Sequence, residues 1–202
     1  MATPASQDVE QGAILWLPKH DEVMAKLAAN GLDDAMAVMD ITRWYETEDG
    51  EVFNIPKPAD PKTYDHPIAV VSRPAGLSPQ SPDLHRIHFV VLTSFGGRAL
   101  TKYTHDANVW KDYLAIAPQR YHPLQAYPGY KPLTLQNEAT MNRGVYAENF
   151  RVYSMDWRAA GVFVPTVTPR SEVLRLDTRS LMRLLVEIEH AVEYEPCEQF
   201  SG

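Results

Sequence analysis

Cysteine is nearly absent from this chain: Cys197 is the only one in 202 residues. One thiol excludes an intramolecular disulfide and any cysteine-based zinc cage. It sits in an acidic segment, E-P-C-E-Q-F, with no activating base nearby, and reads as inert. Long apolar runs are also missing, and none approaches the ~20 residues that a membrane-spanning helix needs. The opening M-A-T-P-A-S-Q-D-V-E-Q has no basic start followed by an apolar core, so residues 1–11 read as a loose polar tail rather than a leader. A soluble, cytoplasmic protein is the expectation. There is no G-x-S-x-G elbow and no nucleotide-binding glycine loop. His85 and His88 are three apart but lack an acid cluster, while His20, His105 and His122 stand alone. Neither a metal nor a cofactor is expected.

The charge that is present is uneven. The net charge of −7 argues against bulk attraction to nucleic acid. Yet residues 67–164 carry ten bases and six acids, whereas residues 19–66 carry five bases and eleven acids. A moderately basic centre thus lies between acidic flanks. It reads either as ordinary surface variation or as an anion-facing core.

The organising stretch is Asp65–Arg98. Ile68–Val71 and His88–Leu92 are short apolar, β-branched runs bounded by Pro, Gly and Ser, which predicts two buried strands. The second ends in the turn Thr93-Ser94-Phe95-Gly96-Gly97-Arg98. Upstream, Gly12–Pro18 predicts a first strand and Asp21–Ala29 a helix stopped at Asn30-Gly31. Asp33–Trp44 reads as a second helix, and Glu46–Asp65 as a proline-rich surface loop whose three prolines oppose regular pairing. Downstream, strands are expected at Trp110–Pro118, briefly at Leu133–Gln136, across Gly144–Met155 with a bulge near Asn149, and at Val162–Val167. Tyr121–Pro132 reads as a tyrosine-rich loop. Asp177 caps an amphipathic helix in which Leu181, Leu184, Leu185, Ile188 and Val192 form a stripe. The pattern predicts a mainly β protein, a small barrel closed by one helix. Its expected layout is a single domain at 12–194 with an insertion at 19–63, then an acidic tail at 195–202.

The order of these signals resembles the MazF/PemK (Kid) toxin family, which shares an SH3-like barrel with the CcdB toxin. The residues that carry the resemblance are Gly12-Ala13-Ile14-Leu15-Trp16, His66-Pro67-Ile68-Ala69-Val70-Val71-Ser72, Leu92-Thr93-Ser94, Val145–Tyr153 and the terminal helix. About half the chain is covered. The resemblance implies an SH3-like barrel, a homodimer, and metal-independent endoribonuclease activity or RNA binding.

Residue by residue, the resemblance implies catalytic roles for His66, Thr93, Glu148 and Arg151. His66 stands where the family has arginine, and Tyr146 replaces a second one. Ser94, Gly96, Gly97, Arg98 and Tyr146 are the implied substrate-binding residues. The chemistry would activate a ribose 2′-OH against its own phosphate, using a base, an acid and a cation. The plain structural readings stand beside these: a packed histidine, a threonine capping a turn, a strand glutamate without a role. Two other functions remain open. One is a cofactor-free enzyme acting on a small-molecule ligand. The other is a non-catalytic interaction module whose insertion binds a protein or blocks the groove.

Overall fold

The computed structural model describes residues 2–32, 37–42, 44–46, 52–54, 56–73, 81–117, 130–141, 143–164 and 173–188. It is mainly an antiparallel β-sheet with a few short helices. The strands are β1 (Ile14–Leu17), β2 (Met39–Asp40), β3 (Trp44–Glu46), β4 (Val52–Asn54), β5 (Lys57–Pro58), β6 (His66–Ser72), β7 (Arg86–Thr93), β8 (Tyr113–Ile116), β9 (Val145–Glu148), β10 (Tyr153–Asp156) and β11 (Gly161–Val162). The helices are α1 (His20–Ala29), α2 (Leu100–Tyr103), α3 (Ala107–Trp110) and α4 (Thr178–Glu187).

The main sheet runs β11-β1-β6-β7-β10-β2-β5. Strand β7 is its centre. One edge of β7 bonds β6. The other bonds β10 along its first half (Arg86↔Asp156 to Phe89↔Tyr153) and β9 at its last two residues (Leu92↔Ala147, Thr93↔Tyr146). Strand β8 then pairs with β9. The expected strand across Gly144–Met155 is therefore two strands, and the break near Asn149 is where the chain leaves one partner segment of β7 for the next.

Strands β6 and β7 are apolar on both sides because both faces of the sheet are covered. Residues 68–72 are all buried. On one face Leu15, Leu17, Ile68, Val70, Phe89 and Tyr153 pack with Val23 and Leu27 of α1. On the other Ile14, Ala69, Val71, Leu92, Val145 and Ala147 pack with Leu181 and Leu184 of α4. These are termed the α1 face and the α4 face. Helix α1 begins with Asp21 and Glu22 in its first turn, where acids suit the positive end of the helix dipole. Helix α4 starts as read, with the Asp177 carboxylate accepting the Ser180 N–H at 2.7 Å.

Four expectations fail locally. The helix expected over Asp33–Trp44 gives way to strand at Met39–Asp40 and Trp44, with residues 33–36 and 43 outside the described set. A loose run of Met and Trp imitates helical spacing, but pairing with β10 and β5 decides. The proline-rich loop contains β4 and β5. Pro58 is opposite Met39 in a short outer strand, a place where a missing N–H is tolerated. The segment 2–11 is not loose, since Val9 is fully buried and Arg73 donates to the Ser6 carbonyl at 3.0 Å. The region 19–63 is not a detachable insertion either. It supplies Val23, Leu27 and Val38 to the core and β2 to the sheet. The tail at 195–202 and most of the 121–132 loop lie outside the described residues.

Candidate functional site

The residues singled out in the sequence fall into two groups separated by the turn after β7. In that turn the Thr93 hydroxyl accepts the Phe95 N–H at 3.4 Å, and the Ser94 carbonyl accepts the Gly97 N–H at 2.7 Å. Phe95, Gly96 and Gly97 all have positive φ (48°, 66° and 83°). Glycine adopts this conformation freely, whereas Phe95 costs roughly 1–2 kcal/mol there. Its ring offsets that strain. It stacks on Tyr103 (centroids 4.4 Å apart) and meets Tyr113 and Tyr146 at 5.1 and 5.3 Å.

The first group lies on the α1 face. Strand β9 carries Glu148 opposite Tyr113 of β8. Burial pushes the Glu148 carboxyl up to about 7, against the pull of Arg151. Burial and the nearby Glu148 charge push the Tyr113 phenol up as well. The Tyr153 hydroxyl interacts with both Arg151 and Thr63, and this interaction, more than the charges of Asp40 and Glu148, raises the Arg151 pKa. Arg151 lies 5.2 Å above the Phe150 ring, and Phe150 meets Tyr113 edge-on at 5.8 Å. A carboxyl titrating near neutrality, a fixed cation and partly exposed rings (Tyr103 61% and Phe150 37% exposed) thus share one surface.

The second group lines a cleft of about 480 Å³ on the α4 side of the turn. Leu92, Met141 and Val145 are apolar lining, and the stacked Trp16–Phe163 pair is a wall (centroids 6.1 Å, planes 13° apart). Asp65, His66, Ser94, Gly96 and Arg143 complete it. His66 is half-buried at the end of β6, opposite Leu17. Burial holds its imidazole below the usual value, although Asp65 and a hydrogen bond to the Lys62 backbone oppose this. The ring is therefore neutral near pH 7 and does not supply the cation that arginine would.

The remaining candidates take other places. Thr93 is only 8% exposed and caps the turn. Tyr146 has no exposed surface, and its hydroxyl accepts the Leu100 N–H, so it packs the core instead of offering a binding surface. Arg98 and Gly97 are exposed at the end of the turn. His66, Thr93, Arg98, Glu148 and Arg151 do not share one cleft: His66 belongs to the second group, Glu148 and Arg151 to the first.

Sequence reasoning missed Tyr113, Tyr153 and Thr63 in the first group, and Trp16, Phe163 and Arg143 in the second. Only Trp16 carried a signal, as the end of the first strand motif. The others depend on pairings between segments far apart in the chain. Among the described residues, no helix is long and apolar enough to cross a membrane, and no three His, Cys, Asp or Glu side chains are grouped to hold a metal. Comparisons with protein-family models, with curated proteins and with solved structures found no match to this chain.

Proposed function

We propose that this protein binds single-stranded RNA across the Phe95–Tyr103–Phe150 surface and cleaves it slowly, without a metal, at Glu148 and Arg151. The observation that carries the reading is the meeting of a carboxyl that titrates near 7 with Arg151 and partly exposed aromatic rings. Rings of this kind stack unpaired bases without regard to sequence. Glu148, ionised in part near neutrality, is the base that takes the 2′-OH proton as the 2′-oxygen bonds phosphorus; the P–O5′ bond breaks, and the departing 5′-oxygen takes a proton from water. Arg151, oriented by Tyr153, faces the charge that develops on the phosphorane.

The architecture supports kinship with the MazF/PemK barrel. Strands β1, β6, β7, β9 and β8 are neighbours in that order, and α4 closes one face. In this reading that segment is a divergent SH3-like barrel, and α1 with β2 to β5 is an elaboration covering its other face. The departure is electrostatic. Where the family has arginines, this chain has a neutral His66 and a buried Tyr146. Losing one preorganised donor costs about 3 kcal/mol of transition-state stabilisation, so turnover is slow even where binding persists.

A fluorescent oligoribonucleotide in EDTA tests this. Binding should weaken as salt rises, because phosphate contacts release counterions. Cleavage should leave a 2′,3′-cyclic phosphate, and the all-deoxy analogue should bind uncut. Glu148→Gln should slow cleavage at least about 100-fold with binding retained. Salt-independent binding, or none, sinks the reading. Binding with no cyclic product leaves RNA binding and removes the nuclease.

A further inference from the structure

The cleft beside Trp16 takes no part in the RNA reading, yet it is built like a ligand site. Its volume of about 480 Å³ lies within the range of small-molecule pockets. Leu92, Met141 and Val145 offer apolar contact, and the Trp16–Phe163 pair offers a flat wall. These surfaces favour a planar, apolar body.

The polar lining narrows the choice. Arg143 is exposed and makes no hydrogen bond or ion pair among the described residues. A guanidinium beside an apolar cavity is a ready fork for a carboxylate. Asp65 also lines the cleft, and no ion pair joins it to Arg143. Its φ of 66° places it in the left-handed region, a conformation that aspartate tolerates better than most residues. A ligand carrying one negative charge satisfies Arg143, whereas a second anionic group would meet Asp65.

We infer that this cleft binds a small, planar aromatic monoanion, its ring against Trp16 and Phe163 and its carboxylate on Arg143. The inference does not rest on the RNA reading.

Titration calorimetry of the full chain with three probes tests it: 2-naphthoate, the neutral 2-naphthalenemethanol, and the dianion 2,6-naphthalenedicarboxylate. The naphthoate should saturate one site and bind about tenfold more tightly than either other probe. Arg143→Gln is an exposed substitution that should leave the fold intact, checked by circular dichroism. It should lower naphthoate to the level of the alcohol and leave the alcohol unchanged. In amide and indole NMR spectra, naphthoate should shift the Trp16 indole N–H and the Ser94 amide. The inference is overturned by the absence of saturation at millimolar naphthoate, by equal affinity for all three probes, by an Arg143→Gln variant that binds naphthoate as the parent does, or by shifts that leave Trp16 and Ser94 unmoved.

Discussion

On the α1 side of the Phe95–Gly97 turn, the charged groups act on one another. Arg151 lies beside Tyr153, Glu148 is buried beside Tyr113, and Glu148 and Arg151 each favour the other's charged form. On the α4 side, Arg143 and Asp65 line the same cleft without pairing. The first arrangement tunes a proton, and the second leaves charge available for something that arrives from solution. A short turn separates two polar environments because successive strand residues point to opposite faces of a sheet covered on both.

The comparison can be broken most sharply at the floor of the cleft. Leu92 is fully buried, so Leu92→Ala should cost about 3 kcal/mol in urea unfolding. Arg143→Gln on the same cleft should stay within about 0.5 kcal/mol. Similar losses would mean that the lining polar groups are structural after all.

Next is the pH dependence of Glu148. Its carboxyl titrates near 4.5 when unfolded and near 7 when folded. The folded state holds the extra proton, so the contribution is complete below 4.5 and is lost as pH rises through 7. The loss should reach up to roughly 3 kcal/mol. Glu148→Gln should flatten that slope in denaturation series between pH 5 and 8. A slope that survives the substitution belongs to another group.

Tyr153→Phe removes the hydroxyl that orients Arg151. It should cost about 1 kcal/mol of stability, and it should slow RNA cleavage more than it weakens RNA binding. Asp177→Ala, which uncaps α4, should also cost about 1 kcal/mol. It should leave the Glu148 slope untouched, because that carboxyl lies on the other face. An altered slope would show that the two faces are coupled.

The smallest effect is expected at His66, and its sign is opposite. Its folded value lies below the unfolded 6.5, so its contribution is present above 6.5 and is lost as pH falls through the depressed value. His66→Gln should remove a slight destabilisation at acidic pH. In the Glu148→Gln background this becomes easier to see by thermal melting.

Much of the architecture was legible where local pattern and burial agree. The runs 68–71 and 88–92 are apolar because both sheet faces are covered. Asp177 and the Leu181–Leu184 stripe announce α4 through a cap and a period. Legibility failed where a segment is short and depends on a distant partner. Met39–Asp40 is a strand only because Tyr153 and Ser154 lie beside it, and Pro58 joins a ladder only at the outer edge. The candidate site was half legible for the same reason. Glu148 and Arg151 are close in the chain and stay together, whereas Tyr146, on the same face of β9 as Glu148, is fully buried and His66 borders the cleft. Arg143 and Phe163 sit in no motif and are known only by what they face.

Strand β7 serves two partners in succession along one edge, and this makes it a single point of assembly. Sliding it by one residue would exchange the faces of Leu92 and Thr93, setting a hydroxyl among the apolar side chains of the α4 face and taking Leu92 away from them. The same slip would misplace Phe89 against Tyr153. The α1 face and the α4 face would inherit the error together, because both take side chains from this one strand.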